Sequence, residues 1–334
     1  MTSTCCPLPY GRGSVKDVSS VLIRGDGVAA RCCGHLLTQA GYRVSFEPAG
    51  RPRVPLIMLS DAAQNLIRDI FQRDDLFREM PVIRKRIVAW GSDPVELDHS
   101  AVVVSEEQLL DSLGMVSGEE QGGWTICAAP PLPVQTVEHR FGSRMASAVK
   151  VDLKATARPD ACWVESLEDG WLFLNSGWLI VVGARPELLL DKSRLVGEQI
   201  SGGDAVARFA ASPRMITPAG GDGWIACGSA AMAFDPLCGD GTAHAVREAI
   251  LASAVIRAAD RGEDFGDLLS HYEARLTAGF QRHLAQCREF YLSGGIGEWW
   301  KAEAEASVEG IRWCGARMDG TFRYRLEGLE LRRI

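Results

Sequence analysis

The sequence predicts an α/β fold: a dinucleotide-binding unit interrupted by an antiparallel β-sheet and followed by C-terminal helices. Three observations predict it. A strand, a glycine-rich turn, a helix, a second strand and an acid follow one another over Val21–Glu47. Strand-like segments between Val137 and Val182 are joined by Glu168-Asp169-Gly170 and Asn175-Ser176-Gly177, which are hairpin signals. A small-residue loop, Gly228–Gly241, opens a later helix.

Each part of the first unit has a physical task. Val21-Leu22-Ile23 is a short buried strand, and Gly25-Asp26-Gly27-Val28-Ala29-Ala30 reads G-x-G-x-x-A. Gly25 permits the tight turn, and Gly27 has no Cβ to keep a pyrophosphate from the backbone. Ala29 and Ala30 keep the helix start small, so that helix and strand pack closely. The helix runs from Val28 to about Ala40 and stops at Gly41, a helix-ending glycine. Its first turn offers free N–H groups and a positive dipole end to phosphates. Tyr42–Phe46 is the second strand. Glu47, 22 residues after Gly25, stands where an acid accepts hydrogen bonds from an adenosine ribose. The unit is Rossmann-like.

The chain has 334 residues, enough for two domains, with 46% hydrophobic and 24% charged residues. A net charge of −7 argues against a nucleic-acid partner. No apolar run reaches transmembrane length. Residues 1–18 form a loose leader with no signal-peptide core. Ten cysteines occur, none in C-x-x-C or zinc spacing, so reduced thiols in a cytoplasm are expected.

Pro48–Pro55 is a turn-rich link. Ser60 caps a helix from Asp61 to about Gln72. Arg68 on that helix is either a cofactor-phosphate contact or a solvated arginine. Val82–Trp90 and Val95–Val104 are strands, and Ser105 with Gln108 opens a helix that ends near Gly114. Gly118–Gly123 is a loop, and Trp124–Ala128 a buried strand. Val137–Ala155 reads as one long strand, followed by Ala161–Ser166, Trp171–Asn175 and Trp178–Val182. Trp163, Trp171, Phe173 and Trp178 either floor an apolar cavity or pack the sheet. Arg185–Ile200 and Asp204–Ala210 look helical, Trp224–Cys227 is a strand, and helices cover about Thr242–Ala259 and Asp264–Tyr291. Arg323–Ile334 alternates charges with leucines.

The stretch Gly228-Ser229 through Asp235-Pro236-Leu237-Cys238-Gly239-Asp240-Gly241 carries a D-P-x-x-G-x-G loop ahead of its helix. With the first unit, it resembles FAD-dependent monooxygenases, flavin-dependent halogenases and geranylgeranyl reductases, a superfamily with p-hydroxybenzoate hydroxylase-like folds. The resemblance covers most of the chain. It implies FAD as cofactor, with Gly228, Ser229, Asp235, Gly239, Asp240, Gly241 and Thr242 as further contacts and Pro236 at the ring face. A helix start whose glycines expose N–H groups stabilises charge on a reduced flavin. Where the family usually has Gly-Asp, this chain has Gly228-Ser229. The W-x-W-x-I-P signature of tryptophan halogenases is absent, as is a clear Asp-Gly motif for NAD(P)H.

Among the six histidines (His35, His99, His139, His244, His271 and His283), His244 follows the loop and is a candidate general acid or base or a structural residue. Arg144 would meet an anionic substrate or form a structural salt bridge. Cys238 lies in the loop beside a helix start, a setting that activates thiols.

The implied domains are a discontinuous FAD-binding domain (19–75, 119–136 and 201–262), a substrate-side sheet (76–118 and 137–200) and a C-terminal helical region (263–334). The implied activity is oxygen transfer to a small or peptide-borne organic substrate, with a flavin reductase or NAD(P)H as donor. The alternatives are a flavin-dependent reductase or dehydrogenase, a halogenase, and a degenerate flavin-binding interaction protein. One expectation tests the first motif. Gly27→Val should give folded protein without flavin after incubation with FAD, because a branched side chain blocks backbone approach; normal flavin content would remove the dinucleotide reading.

Overall fold

The computed structural model describes residues 19–114, 123–318 and 322–334. The expected leader and most of the expected loop Gly118–Gly123 lie outside the described residues. The first unit consists of β1 (Ser20–Arg24), α1 (Val28–Gln39) and β2 (Arg43–Glu47). Strands β1 and β2 pair in parallel, with Arg24 facing Glu47. Helix α1 ends as the sequence implies. Gly41 sits at φ 89°, its N–H donates to the Thr38 carbonyl, and the Tyr42 N–H donates to the Leu37 carbonyl, both at 3.0 Å. This closes the helix's last carbonyls in a Schellman motif.

Next come β3 (Ile57–Ser60), α2 (Asp61–Phe71), β4 (Val82–Ala89), β5 (Val95–Val104) and α3 (Glu106–Leu113). Ser60 caps α2 by accepting from the Ala63 N–H at 3.3 Å, and Ser105 with Gln108 forms a capping box on α3. After β6 (Trp124–Cys127) follow β7 (Val137–Arg140), β8 (Met145–Leu153), β9 (Ala161–Leu167), β10 (Gly170–Asn175) and β11 (Trp178–Gly183). Short α4 (Pro186–Leu190) leads to β12 (Ile200–Ala210), β13 (Arg214–Thr217), β14 (Gly220–Gly221), β15 (Trp224–Ala226) and β16 (Met232–Ala233). Helices α5 (Gly241–Asp260), α6 (Phe265–Gly294) and α7 (Glu298–Gly315) and the hairpin β17 (Tyr324–Glu327), β18 (Glu330–Arg333) complete the described chain.

Two main sheets organise these elements. The smaller has the order β14-β15-β6-β1-β2, and the larger β12-β8-β11-β10-β9-β4-β5-β3. In the first, β15, β6, β1 and β2 run parallel. The second is antiparallel except where β4 meets β9. The two expected hairpin turns join β9 to β10 and β10 to β11. A three-stranded sheet, β16-β13-β7, stands apart from both.

Several local expectations are corrected. Asp204–Ala210 is strand, not helix: β12 pairs along β8 at the edge of the larger sheet, so long-range backbone pairing overrides the helix-like A-V-A-R-F-A pattern. Only Pro186–Leu190 of the expected helix 185–200 is α-helical. The buried Glu165 carboxylate accepts the backbone N–H groups of Arg194, Leu195 and Val196 at 2.9, 3.1 and 2.8 Å, which holds that segment out of a helix. The long strand 137–155 breaks into β7 and β8 at Gly142 (φ 99°), where a Cβ would collide with the Glu303 carboxylate. Helix α7 falls within the expected C-terminal helical region, where the sequence marks no helix beyond Tyr291, and Arg323–Ile334 of that region is a hairpin. We propose sheet membership as the domain division, which moves Ile57–Ser60 and residues 201–210 to the larger sheet's domain.

Side chains alternate across the larger sheet. Trp163, Leu172, Leu174, Leu179 and Val181 pack one face with Leu189 and Val196. Trp171 and Val182 pack the other, with Phe173 and Ile180 against them, on Tyr291 of α6 and Trp300 and Ala304 of α7. Trp163 therefore cannot share a cavity floor with Trp171 and Phe173. No helix among the described residues is long and apolar enough to cross a membrane.

Candidate active site

At the end of β1, Gly25 adopts φ 114° and its N–H donates to the Glu47 carbonyl at 2.8 Å. A Cβ there would stand 3.1 Å from Ala129, so only glycine fits. Gly27 caps α1 with no side-chain hydrogen bond, and the first turn carries no acid. The helix start therefore offers its N–H groups to an incoming anion. Glu47 is exposed and accepts the Arg24 Nε–H at 2.9 Å.

Three arginines surround this turn, a feature the sequence reading missed. Arg51 pairs with buried Glu106, and its Nη2 lies 2.9 Å from where a Gly27 Cβ would stand. Arg53 pairs with Asp26 at 2.5 Å. Arg31 donates to the Gly114 carbonyl at 2.9 Å, while its buried Nε and the Asp26 Oδ1 have no partner. Burial and then the Arg53 charge lower the Arg31 pKa. The only sequence signal was two arginines in the proline-rich link. Arg68, in contrast, spends its donors on the Leu76 carbonyl, Gln64 and Asn65 and lies over the Phe77 ring. It holds the turn after α2.

The second motif meets the first directly. Gly228 sits at φ 59°, and a Cβ on it would come within 2.6 Å of the Ala29 Cβ. Ala30 is fully buried beneath. Ser229 is exposed, and its carbonyl accepts from Arg214 at 2.5 Å. Pro236 is exposed at the start of a 3-10 turn over Pro236–Cys238. Gly239 (φ 67°) and Gly241 are exposed, and a Cβ on either would touch nothing within 4 Å. Asp240 caps α5 without a side-chain cap bond, its carboxylate turning to Arg247 at 3.1 Å. Thr242, half-buried, stands in the first turn of α5.

Asp235 has a different place from the one implied by the resemblance. It is buried. Its Oδ2 accepts from Arg144 Nη1 at 2.5 Å and from the Tyr291 hydroxyl at 2.8 Å. Its Oδ1 accepts the Leu237 N–H, and its own N–H donates to His283 Nε2, both at 2.8 Å. Both oxygens are consumed inside the protein, so Asp235 positions the loop. Arg144 also donates from Nε to Glu303 at 2.7 Å and stacks 4.4 Å over the Tyr291 ring. Burial alone would lower the Arg144 pKa; the electrostatic pull of Tyr291 and of the Asp235 and Glu303 carboxylates outweighs it and raises the value. The structural alternative for Arg144 is the one observed.

His244 stacks on Phe234 at 4.2 Å. Burial, against the opposing pull of Asp240, takes its pKa down to about 4. Leu237 and Cys238 pack toward the Trp171 face of the sheet, with Phe173, Ile180, Trp90 and Trp299. A separate groove of about 680 Å³, lined by the ends of β4 and β9 and by Gly294–Gly297, includes no residue of the Gly25–Ala30 turn or the 235–241 loop.

No protein-family model matches this sequence, and no curated protein matches it. Solved structures do. The chain is similar to QhpG, a peptidyl tryptophan dihydroxylase essential for tryptophylquinone cofactor biogenesis: TM-score 0.72, 19% identity, 95% of this chain and 86% of that one. It is similar to CmlS, a flavin-dependent halogenase: TM-score 0.68, 18% identity, 89% and 70% covered. It is also similar to PqsL of Pseudomonas aeruginosa, a probable FAD-dependent monooxygenase: TM-score 0.63, 13% identity, 90% and 100% covered. These likenesses establish the fold, that of FAD-dependent halogenases and monooxygenases.

The depressed His244 pKa has a measurable consequence. The unfolded chain binds the proton more tightly than the folded one, so stability is fully present above the ordinary value of 6.5 and falls as pH drops toward about 4. His271, lowered to about 4 by burial and then Arg275, contributes with the same sign. Melting temperature should decline over this window, and His244→Gln should flatten the decline. A variant as steep as the native protein would show that His244 is not buried in the neutral form.

Proposed function

We propose that this chain is an FAD-dependent monooxygenase acting on a small or peptide-borne organic substrate. One observation carries the reading: the Gly25–Ala30 turn and the Gly228–Gly241 stretch meet at Ala29 and Gly228, and each leads into a helix whose start has no side-chain cap. The orphaned Arg31 Nε and the arginine cluster over Gly27 suit a pyrophosphate. The residues present therefore fit FAD.

When bound and reduced, the flavin would activate oxygen for transfer of one atom to the substrate. The chain's own residues bind, orient and exclude water. The α1 N–H groups with Arg51 and Arg31 would hold the phosphates. Glu47, held by Arg24, would accept the ribose hydroxyls. The backbone at Gly239, Gly241 and Thr242, at the start of α5, would face negative charge on the ring. Exposed Ser229 offers a neutral hydroxyl where the resembling families use an acid, and Asp240 at the α5 cap would be a further cofactor contact. Pro236 would border the reacting face, with Leu237, Phe173, Ile180 and Trp299 as the water-excluding wall. His244, neutral at physiological pH, would accept rather than donate a proton.

The QhpG likeness makes tryptophan-bearing peptides the first substrates to try, with NAD(P)H or a separate flavin reductase as electron source. The eight described cysteines are all free, which suits a reducing cytoplasm. The missing acid at Ser229 favours one second reading, a weak flavin binder that works through interactions. To decide, the protein is loaded with FAD, reduced, and mixed with oxygen and a panel of such peptides and small aromatics. Retained flavin and products heavier by one oxygen atom are expected. Failure to bind saturating FAD would overturn the reading; flavin that cycles without oxygenated product would point to a reductase.

A further inference from the structure

Three side chains meet beneath the 235–241 loop, from segments 49 residues apart. Cys238 Sγ lies 3.8 Å from Cys287 Sγ, and Cys287 Sγ lies 3.3 Å from His283 Nε2. Cys238 is half-buried, whereas Cys287 and His283 are buried on α6, one helical turn apart. Cysteine and histidine at these separations are also the donor set of a metal ion, all within 4.8 Å of one another. The histidine argues against that use. Its Nε2 already accepts the Asp235 N–H at 2.8 Å, so a metal bond would leave a buried backbone donor unpaired.

We infer that Cys238 and Cys287 form a reversible redox pair, oxidised to a disulfide by hydrogen peroxide and reduced by small dithiols. The two thiols differ in the way such a pair requires. Cys238 is the one a small oxidant reaches. Cys287, buried and hydrogen-bonded to Cys238, has its pKa raised well above the ordinary value, and it packs 3.3 Å from His283. It is the resolving partner.

The chemistry balances. Cys238 sulfur attacks one peroxide oxygen, the O–O bond breaks, and a sulfenic acid and one water result. Cys287 sulfur then attacks the Cys238 sulfur. The S–S bond forms, the S–O bond breaks, and the leaving hydroxide departs with the Cys287 proton as a second water. Two thiols and one peroxide become one disulfide and two waters. Closing the gap to a bonded pair takes about 2 Å of side-chain rotation. The bond would tie the Pro236–Cys238 turn to α6, next to the open glycines, whether or not a flavin binds there.

The full-length reduced protein is treated with about one equivalent of hydrogen peroxide, alkylated and digested, and its cysteine peptides are mapped by mass spectrometry. A linked 238–287 peptide, lost after dithiothreitol, is expected. Cys287→Ser should stop the reaction at a Cys238 sulfenic acid that dimedone traps, and Cys238→Ser should leave Cys287 a free thiol. If a serine variant does not fold, the native map alone decides. Full alkylation of both thiols after peroxide, or disulfides formed only at other cysteines, would overturn the proposal. So would stoichiometric zinc in the purified protein that disappears in Cys287→Ala. None of these readouts depends on oxygenase activity.

Discussion

One buried cation ties the molecule together. Arg144 has no exposed side-chain surface, and neither has Asp235; Glu303 has 2%. The guanidinium is shared between carboxylates 91 and 159 residues away. An unpaired charge at such a depth is strongly disfavoured, and removing one partner of a buried pair costs about 3–5 kcal/mol. The three must therefore assemble together. Arg144 belongs to the larger sheet's lead-in, Asp235 to the loop before α5, and Glu303 to α7. Their pairing sets the sheet, the loop and the C-terminal helices in one arrangement. Ser143 donates twice more to Glu303, from its N–H at 3.0 Å and its hydroxyl at 2.9 Å, and Tyr291 and His283 of α6 hold Asp235 from the other side.

The consequence is division of labour within the loop. Asp235 faces inward and fixes where the chain emerges. Pro236, Gly239 and Gly241 face outward with uncovered backbone. A similar division holds at the first turn, where Gly25 is wedged against the Ala128–Ala129 backbone while Gly27 meets only the side-chain ends of the Arg51–Glu106 pair. In both places a rigid anchor precedes an open helix start, which is what binding an extended, charged cofactor demands.

What could be read from the sequence was local. The strand–turn–helix–strand run, the Ser60 and Ser105 caps, the Gly41 stop and the two hairpins each depend on neighbouring residues. The elements that were missed depend on distant ones. Helix α7 buries Trp300, Glu303, Ala304, Ser307, Gly310 and Cys314; the helical spacing is present, but an acid, a serine and a glycine on the inner face mute the hydrophobic signal. Strand β12 owes its state to β8. Asp235 reads as a cofactor contact in a loop motif, and only the fold reveals that Arg144 claims it. The aromatics of the larger sheet were legible as sheet residues, yet their sorting onto two faces required the register of β9 against β10.

We propose that the buried Arg144–Asp235 pair places the loop that would receive the flavin. The direct measurement is the FAD dissociation constant of Asp235→Asn, followed by fluorescence alongside its melting curve. Asparagine keeps the acceptor for Leu237 but removes the charge facing Arg144. The account predicts a folded, less stable protein that binds FAD at least about tenfold more weakly, the loss of one charged hydrogen bond's worth of loop order. Native FAD affinity in a variant with a lowered melting temperature would contradict it, because the network would then support the fold without governing the site.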